Sequence, residues 1–559
     1  MLKSLQRFGS RVAFCVLAIG CFRVPCSSKT GEKPPEQQGN VTDPQIPPAV
    51  AKELDALKKR IEQLEALLKN SGAQEQSTPV AADNHVEAPG PRSGPMDNCP
   101  TPLREGTPAT DRRQQPTSAL HESNTALTTA APIPETGNKK AAEPFAFADF
   151  TWLTGNPRTN VSPLDTGPFT GEFRLDAAFH SSFNHPQDDT ISGSSEVFRS
   201  GEVQVTQLGI GGDFHFSDVR GRLMTQFGMY SQTTPRNDAS PARGQWDLAN
   251  AYRYISEAYG GYHFNKWNGV NIDAGIFMSY VGLFSYYQFD NWSYQPSYVS
   301  SNTPWFFNGV RIQVFPSDRL KIEAWIINGW QSYGRFNHAP GLGAQILYRP
   351  SGSVSIVTNN YWGTDTLGIA DRKRIHTDDS IQVKYYDNRE RFIDKAAFSF
   401  TFDAGCEFGG GVTCTGGTST APSQYFLGFM VYNRLWFYRD LFGLTLGGGA
   451  ITNPGRYLVL IPPINAATAI KGTPYFTANP GEQFKAWDAS VTFDFMPTQF
   501  TTFRVEYNNR AADVPYFSGP GGVTPPGGNA GSPGSFVPGW SPDLRKFERR
   551  FTIAILVKL

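Results

Sequence analysis

Charge is scarce in this chain, and its two signs cancel. Charged residues make up 18% of the 559 residues, against about 25% in an average soluble protein. The 50 Lys and Arg residues balance 50 Asp and Glu residues, so no excess of one sign attracts the chain to an anionic partner. We therefore expect no nucleic-acid partner.

Long apolar runs are also missing. The sequence contains no stretch of about 18 consecutive apolar residues, which excludes a conventional transmembrane helix. The strands of a membrane β-barrel alternate apolar and polar residues, and their hydropathy averages out. The mean hydropathy of −0.37 therefore leaves a membrane β-barrel open.

The sequence has no persuasive catalytic motif. It contains no GxSxG elbow, HExxH pair or Walker A loop, and its eight histidines are scattered. We therefore predict no enzymatic activity, no cofactor and no metal site.

The N-terminus carries the pattern of an export signal. Lys3, Arg7 and Arg11 form a basic region, and residues 12–22 form an apolar stretch too short to span a bilayer. We expect residues 1–28 to be a signal peptide removed by ordinary signal peptidase. Lipidation at a lipobox-like sequence, residues 18–21, is the alternative.

Export places the six cysteines in an oxidising compartment. Three of them lie within the expected signal peptide, and Cys99 has no obvious partner. Cys406 and Cys414 lie close together in a glycine-rich stretch, so we expect a disulfide that closes a loop. A zinc site is the less favoured alternative, because nearby histidines and a CxxC spacing are missing.

A short heptad pattern lies between two linkers. Residues 29–48 form a Pro-rich linker, and residues 72–144 lack aromatic residues and are expected to be disordered. Between them, residues 49–71 predict either a coiled coil or a solitary amphipathic helix on another surface. A coiled coil would join a homotrimer through Leu54, Leu57, Ile61, Leu64 and Leu68. The N-terminal linker and coiled coil could also reach the cell wall.

From residue 171 to the C-terminus, apolar and polar residues alternate. In the first such segment, Phe173, Leu175 and Phe179 fall on one side, while Arg174 and Asp176 fall on the other. The segments are roughly ten residues long, as a tilted strand needs to cross a hydrocarbon layer. Residues 145–170 precede them as a segment that either plugs the barrel or leads into it.

The connections between these segments alternate strictly between long and short. Eight long and seven short connections separate sixteen predicted strands, which begin near residues 171, 202, 220, 250, 269, 306, 319, 341, 353, 379, 394, 424, 441, 484, 500 and 547. Outer-membrane barrels have this layout, with short periplasmic turns and long external loops. The predicted fold is an all-β, 16-stranded antiparallel transmembrane β-barrel over residues 171–559, surrounded by outer-membrane lipid.

The C-terminal strand resembles the signal by which the barrel assembly machinery recognises outer-membrane proteins. Phe551, Ile553, Ile555 and Val557 alternate with other residues up to Leu559. Such signals usually end in Phe, so this chain departs at its last position. We expect the barrel assembly machinery to be a partner of the folding chain.

Five stretches resemble a known family, the OmpL-like outer-membrane β-barrel porins. The similarity runs from about residue 145 to residue 559 and includes loops as well as strands. It implies a bacterial outer-membrane barrel but no particular solute. The stretches are GSSEVFRSGEVQV (193–205), TTPRNDASPARGQWDL (233–248), SEAYGGYHF (256–264), QPSYVSSNTPWFFNG (295–309) and NPGRYLVLIPPINAATA (453–469).

The third long connection, residues 280–307, is crowded with aromatic residues. As in general porins, it is expected to fold into the lumen and narrow it. The alternative is that its rings belong to an interfacial aromatic girdle. The residues assigned to the constriction are Tyr286, Tyr287, Trp292, Tyr294 and Tyr298.

Charged residues at polar-face positions are expected to line the pore. Neither sign dominates, which predicts weak ion selectivity, and many are expected to form cross-strand ion pairs. They are Arg174, Asp176, Asp213, Arg222, Glu257, Asp273, Arg311, Lys321, Glu323, Arg504 and Glu506.

These patterns together predict a porin that lets small hydrophilic solutes diffuse passively, with its N-terminal region in the periplasm. Two other interpretations stay open. One is a non-conducting outer-membrane surface, adhesion or anchor protein, and a lumen plugged by loops or by residues 145–170 would favour it. The other is an outer-membrane barrel enzyme.

Overall fold

The computed structural model describes residues 58–59, 62–63, 143–158, 161–454, 457, 484–527 and 539–559. The chain divides into two compact units, Met1–Ala109 and Thr110–Leu559. In the first unit, residues 58, 59, 62 and 63 are helical with exposed side chains. The predicted signal peptide, both linkers up to residue 142 and the rest of the heptad helix lie outside the described residues.

A closed antiparallel β-barrel forms most of the second unit. The strands of this unit are β1 (Phe169–Ser182), β2 (Val203–Phe216), β3 (Val219–Thr225), β4 (Ile255–Phe264), β5 (Val270–Met278), β6 (Phe306–Ser317), β7 (Leu320–Ile327), β8 (Gly341–Ser351), β9 (Val354–Gly363), β10 (Lys373–Asp387), β11 (Ile393–Phe408), β12 (Tyr425–Phe437), β13 (Phe442–Thr452), β14 (Lys485–Thr498), β15 (Thr501–Ala512), β16 (Phe517–Ser518), β17 (Leu544–Arg545) and β18 (Phe547–Lys558). Strands β16 and β17 form a separate two-stranded sheet, and the other sixteen form the barrel. The barrel closes where β1 pairs with β18, from Arg174 opposite Lys558 to Ser182 opposite Arg550.

Alternation along each strand separates the two faces of the barrel wall. On β14, Trp487 and Val491 point outward with 47% and 45% of their surface exposed, while Asp488 and Asp494 point inward with 5% and 0% exposed. Apolar side chains on the outer face are stable against lipid hydrocarbon, where charged ones would be costly. The period-two pattern of the sequence therefore becomes an apolar outside and a polar inside.

The predicted number and order of strands are confirmed. The largest differences lie at β4, which begins at Ile255 rather than 250, and at β10, which begins at Lys373 rather than 379. A short helix, Leu248–Tyr252, occupies the start predicted for β4. The first residues of β10 are polar, and the sequence predicts a loop there. In the structure they form strand, because Arg374 pairs with residues of both β9 and β11.

The connections divide the barrel into two rims. Short connections such as 217–218, 318–319, 352–353 and 499–500 form one rim, which we call the short-turn rim. Long connections such as 183–202, 226–254 and 279–305 leave from the opposite end, the long-loop rim. This division matches the alternation predicted from the sequence.

Helical segments lie outside the barrel strands. In the described part of the second unit, the α-helices are Tyr230–Thr233, Leu248–Tyr252 and Tyr298–Asn302, and the 3-10 helices are Thr151–Leu153, Thr234–Asn237, Ser240–Ala242 and Gln288–Asp290. In the part of the chain that is described, no helix is long and apolar enough to cross a membrane.

The structure places Cys406 and Cys414 in a disulfide, with Cα atoms 5.2 Å apart. This bond ties the end of β11 to the connection that follows it, residues 409–424. The described residues contain no cluster of three or more His, Cys, Asp or Glu side chains that could hold a metal ion.

Candidate functional site

The long connection between β5 and β6 folds into the barrel. We call residues 279–305 the constriction loop. The five aromatic residues assigned to it from the sequence are all buried, and the most exposed of them, Tyr286, is only 7% exposed. Tyr280 stacks on Trp325 of the inner wall with ring centres 4.9 Å apart, and Trp292 meets the edge of Trp436 at 5.7 Å. The loop therefore packs against the interior of the barrel rather than against its outer face.

Carboxylates of the inner wall hold the loop by its backbone. Glu506 on β15 accepts hydrogen bonds from the backbone N–H groups of Tyr294 (2.6 Å) and Gln295 (2.9 Å). Asp488 on β14 accepts one from the N–H group of Tyr298 at 3.1 Å. Asp378 on β10 accepts one from Gly282 at 3.2 Å. Because these contacts use the loop backbone, the wall largely decides where the loop lies.

Arg504 on β15 makes the complementary contacts with carbonyl groups of the loop. Its guanidinium group donates to the carbonyl oxygens of residues 288 (3.0 Å), 291 (2.7 Å) and 293 (2.9 Å). The same group is paired with Asp494, and Asp494 also pairs with Arg434 at 2.7 Å. An arginine presents several donors in a fixed plane, so one side chain fixes the whole turn of the loop.

Tyrosine hydroxyls of the loop bind wall carboxylates. Tyr287 donates to Glu257 at 2.8 Å, and Tyr294 donates to Asp176 at 3.0 Å. Burial, followed by the neighbouring Glu257 carboxylate, raises the pKa of Tyr287 well above its ordinary value. Burial and Asp176 act in the same direction on the pKa of Tyr294. Both hydroxyls therefore remain protonated donors.

A second segment fills the barrel at the short-turn rim. We call residues 143–158 the plug segment. The backbone N–H of Phe145 donates to Asp318 in the β6–β7 turn at 2.7 Å. The indole of Trp152 donates to Gly352 in the β8–β9 turn at 3.0 Å. Asn156 donates to the carbonyl of Thr498 at the β14–β15 turn at 3.0 Å.

The plug segment spans the mouth of the barrel. Strands β6 and β14 are eight positions apart in the ring of sixteen, so its contacts reach opposite sides of the wall. Phe145 and Phe150 pack with Phe315, Leu347 and Val357 of the inner face. Residues 161–168, which the sequence grouped with this segment, are instead mostly exposed and lead into β1.

All of the charged residues predicted to line the pore face the interior, and each is 5% exposed or less. In this structure they are covered by the constriction loop, the plug segment and the side chains with which they form ion pairs, so they line a filled interior. They are Arg174, Asp176, Asp213, Arg222, Glu257, Asp273, Arg311, Lys321, Glu323, Arg504 and Glu506.

Most of these charged side chains form ion pairs. Arg222 contacts Glu172 (3.0 Å), Asp213 (2.8 Å) and Glu257 (2.8 Å). Elsewhere on the wall, Arg311 pairs with Asp273 at 2.7 Å and Lys321 with Glu323 at 2.9 Å. The interior thus carries charges of both signs in close pairs rather than rings of one sign.

Several residues that organise the interior are not among those predicted from the sequence. Arg434, Asp488 and Asp494 lie at inward-facing positions, so strand parity alone could have found them. Asp290 pairs with Arg174 (2.9 Å) and Lys558 (3.3 Å), and Gly155 contacts the loop beside it. Both lie in connections without periodicity, where no local signal marks them.

One family matches this chain. The family described as "Putative beta-barrel porin-2, OmpL-like" matches residues 170–530. No curated protein matches the sequence.

Several solved structures are similar to this chain at low identity. OmpT of Vibrio cholerae is 10% identical, with 71% of this chain and 99% of that chain covered and a TM-score of 0.40. The outer-membrane channel DcaP of Acinetobacter baumannii is 14% identical (70% and 96% covered, TM-score 0.39). An anion-selective porin from Comamonas acidovorans is 9% identical (70% and 99% covered, TM-score 0.40).

The family match covers more than half of the chain and begins where the first strand of the barrel begins. It agrees with the closed 16-stranded barrel, its apolar outer face and its two unequal rims. This protein therefore belongs to the OmpL-like β-barrel porin family and is an outer-membrane barrel of bacteria.

Proposed function

We propose that this protein is a porin for the passive diffusion of small hydrophilic solutes, and that the structure described above is its closed state. Membership of a porin family supports a channel role. The observation that carries the proposal is the inner wall, where charged side chains such as Arg222, Arg311, Asp273 and Glu506 face the barrel axis. Side chains of this kind suit a wall that meets water and ions.

The contacts of the constriction loop are of a kind that water can replace. Glu506, Asp488 and Arg504 bind the loop largely through its backbone N–H and carbonyl groups. A protein hydrogen bond to a charged group contributes only about 1.5–3 kcal/mol net, because water makes similar bonds. Water would therefore solvate the wall if the loop moved aside, and the position of the loop would set the size limit for solutes.

The filled interior favours a second candidate function, a non-conducting surface or anchor protein. The charges of β14 and β15 are almost inaccessible to water: Asp488 is 5% exposed, while Asp494 and Arg504 are fully buried. A barrel that never opened would present its long loops outward and carry no current.

Single-channel conductance in planar bilayers distinguishes the two candidates. The refolded full chain is compared with a variant that lacks both residues 143–158 and residues 284–302. A matched control lacks residues 415–420, an exposed part of another long connection. We expect rare openings of the native chain, stable openings of the double deletion, and native behaviour of the control.

The anchor function requires the opposite result. If the double deletion folds into a heat-modifiable barrel and still passes no current, the porin proposal is wrong. Openings of the native chain, even rare ones, would exclude a barrel that is permanently filled, whereas a native chain that never opens while the double deletion conducts favours the anchor function.

A further inference from the structure

The plug segment and the constriction loop touch each other inside the barrel. The backbone N–H of Gly155 donates to the carbonyl of Asp290 at 3.0 Å. Arg434 of the wall donates to the carbonyls of both elements, to Gly155 at 2.7 Å and to Trp292 at 3.3 Å. One wall arginine therefore binds both elements at their meeting point.

Gly155 allows a close approach that any larger residue would prevent. A Cβ atom added at this position would lie 2.3 Å from the carbonyl oxygen of Asn291 and 3.1 Å from a guanidinium nitrogen of Arg504. Both atoms are fixed, because one belongs to the loop backbone and the other is paired with Asp494. The plug segment can therefore seat fully only with glycine here.

The other end of the plug segment is held by a different kind of contact. Phe145 and Phe150 lie in an apolar pocket of the inner wall, and the guanidinium group of Arg349 lies over both rings, at 4.9 and 4.3 Å from their centres. This seat is independent of the constriction loop. The plug segment is thus bound to the inner wall at Phe145 and contacts the constriction loop at Gly155.

We propose that the plug segment is an autoinhibitory element that locks the constriction loop in its closed position, so that the two open together. The proposal rests on the proposed porin function and adds its regulation. With Gly155 seated beneath residues 288–293, the loop cannot move toward the short-turn rim, and its contacts with Arg504 and Glu506 stay formed. Unseating the segment removes that support and the hydrogen bond from Arg434 to Gly155.

The test uses the full mature chain with Gly155→Ala. A matched control is Ala146→Ser, a change of similar size at an exposed position of the same segment. In planar bilayers we expect Gly155→Ala to raise the open fraction at least tenfold, while Ala146→Ser behaves as the native chain. A deletion of residues 143–158 alone, with the constriction loop intact, should have an effect at least as large.

A second measurement does not depend on conductance. Ser490 faces the interior on β14, is 5% exposed and has no hydrogen-bond partner for its hydroxyl among the residues that the structure describes, so Ser490→Cys is a mild change. In a Cys99→Ser background, we expect a charged maleimide to label this thiol at least tenfold faster when Gly155→Ala is present. The Ala146→Ser chain should label at the native rate.

The outcomes separate this inference from the porin function. If Gly155→Ala and the deletion of 143–158 change neither conductance nor labelling, while the native chain still opens, the locking role is wrong and the porin stands. If labelling rises but no variant conducts, the segment controls access to a barrel that is not a porin. Faster labelling together with more frequent opening is the result expected from the proposal.

Discussion

Asp494 joins two arginines of the inner wall. It is fully buried and binds Arg434 and Arg504, each at 2.7 Å. The two guanidinium groups in turn hold the plug segment and the constriction loop. Removing this carboxylate would leave two buried positive charges side by side.

Asp494→Ala is therefore expected to destabilise the barrel. Breaking a buried ion pair by removing one partner typically costs about 3–5 kcal/mol, because the other charge remains buried and unpaired. Urea unfolding in lipid vesicles would measure the loss as a lower midpoint. Asp371→Ala, at an exposed position in the β9–β10 connection, serves as the control, and equal midpoints for the two variants would contradict the expectation.

At the scale of elements, the carboxylate of Asp188 joins the connection between β1 and β2 to the long connection that follows β15. We call this contact the clasp. Asp188 accepts hydrogen bonds from the backbone N–H groups of Val523 (2.8 Å) and Thr524 (2.7 Å) and from the Thr524 hydroxyl (2.6 Å). Burial disfavours its charge, but these hydrogen bonds outweigh burial and lower the pKa of Asp188 below its ordinary value.

The lowered pKa gives the clasp a defined pH dependence. A depressed carboxyl pKa stabilises the folded connection above the unfolded pKa, about 3.9, and this contribution is lost as the pH falls through the lower folded value. Hydrogen exchange at Val523 and Thr524 should therefore be slow at neutral pH and lose protection below about pH 4. Asp188→Asn should remove the protection already at pH 7.

The neighbouring residue provides the control for the clasp. Asp189→Asn alters an exposed carboxylate whose partner, Arg199, is also exposed. It should leave exchange at Val523 and Thr524 unchanged. Equal exchange in the native chain and Asp188→Asn at pH 7 would show that the clasp does not depend on this carboxylate.

At the scale of the whole molecule, a coiled coil formed by the heptad pattern near the N-terminus would set the oligomeric state. A coiled coil would bury Leu57 and Leu64 between chains, so Leu57→Asp combined with Leu64→Asp should convert a trimer into monomers. Sedimentation in detergent measures the mass of the particle. Lys58→Asp combined with Gln63→Asp, at helical positions with exposed side chains, should leave the mass unchanged.

Two results would contradict the coiled-coil prediction. A native chain that is already monomeric favours the solitary amphipathic helix. A trimer that survives the leucine substitutions would show that other parts of the chain hold the copies together.

The sequence by itself determined the barrel. Alternation of apolar and polar residues is a local property of each strand, and burial of the polar face follows once neighbouring strands pair. This is why the strand count, the order of long and short connections and the inward direction of residues such as Arg222 and Glu506 could be predicted. The same alternation places Arg434 and Asp494 on the inner face, although they are not among the residues predicted to line the pore.

Only the tertiary structure decided what fills the barrel. The bond between Glu506 and the backbone of Tyr294 joins residues 212 positions apart, and the bond between Arg434 and Gly155 joins residues 279 positions apart. Their partners on the loop and plug are mostly backbone groups, which every residue carries and which leave no pattern in the sequence. The lumen is therefore closed because the barrel brings together two segments without sequence periodicity, the plug segment and the constriction loop.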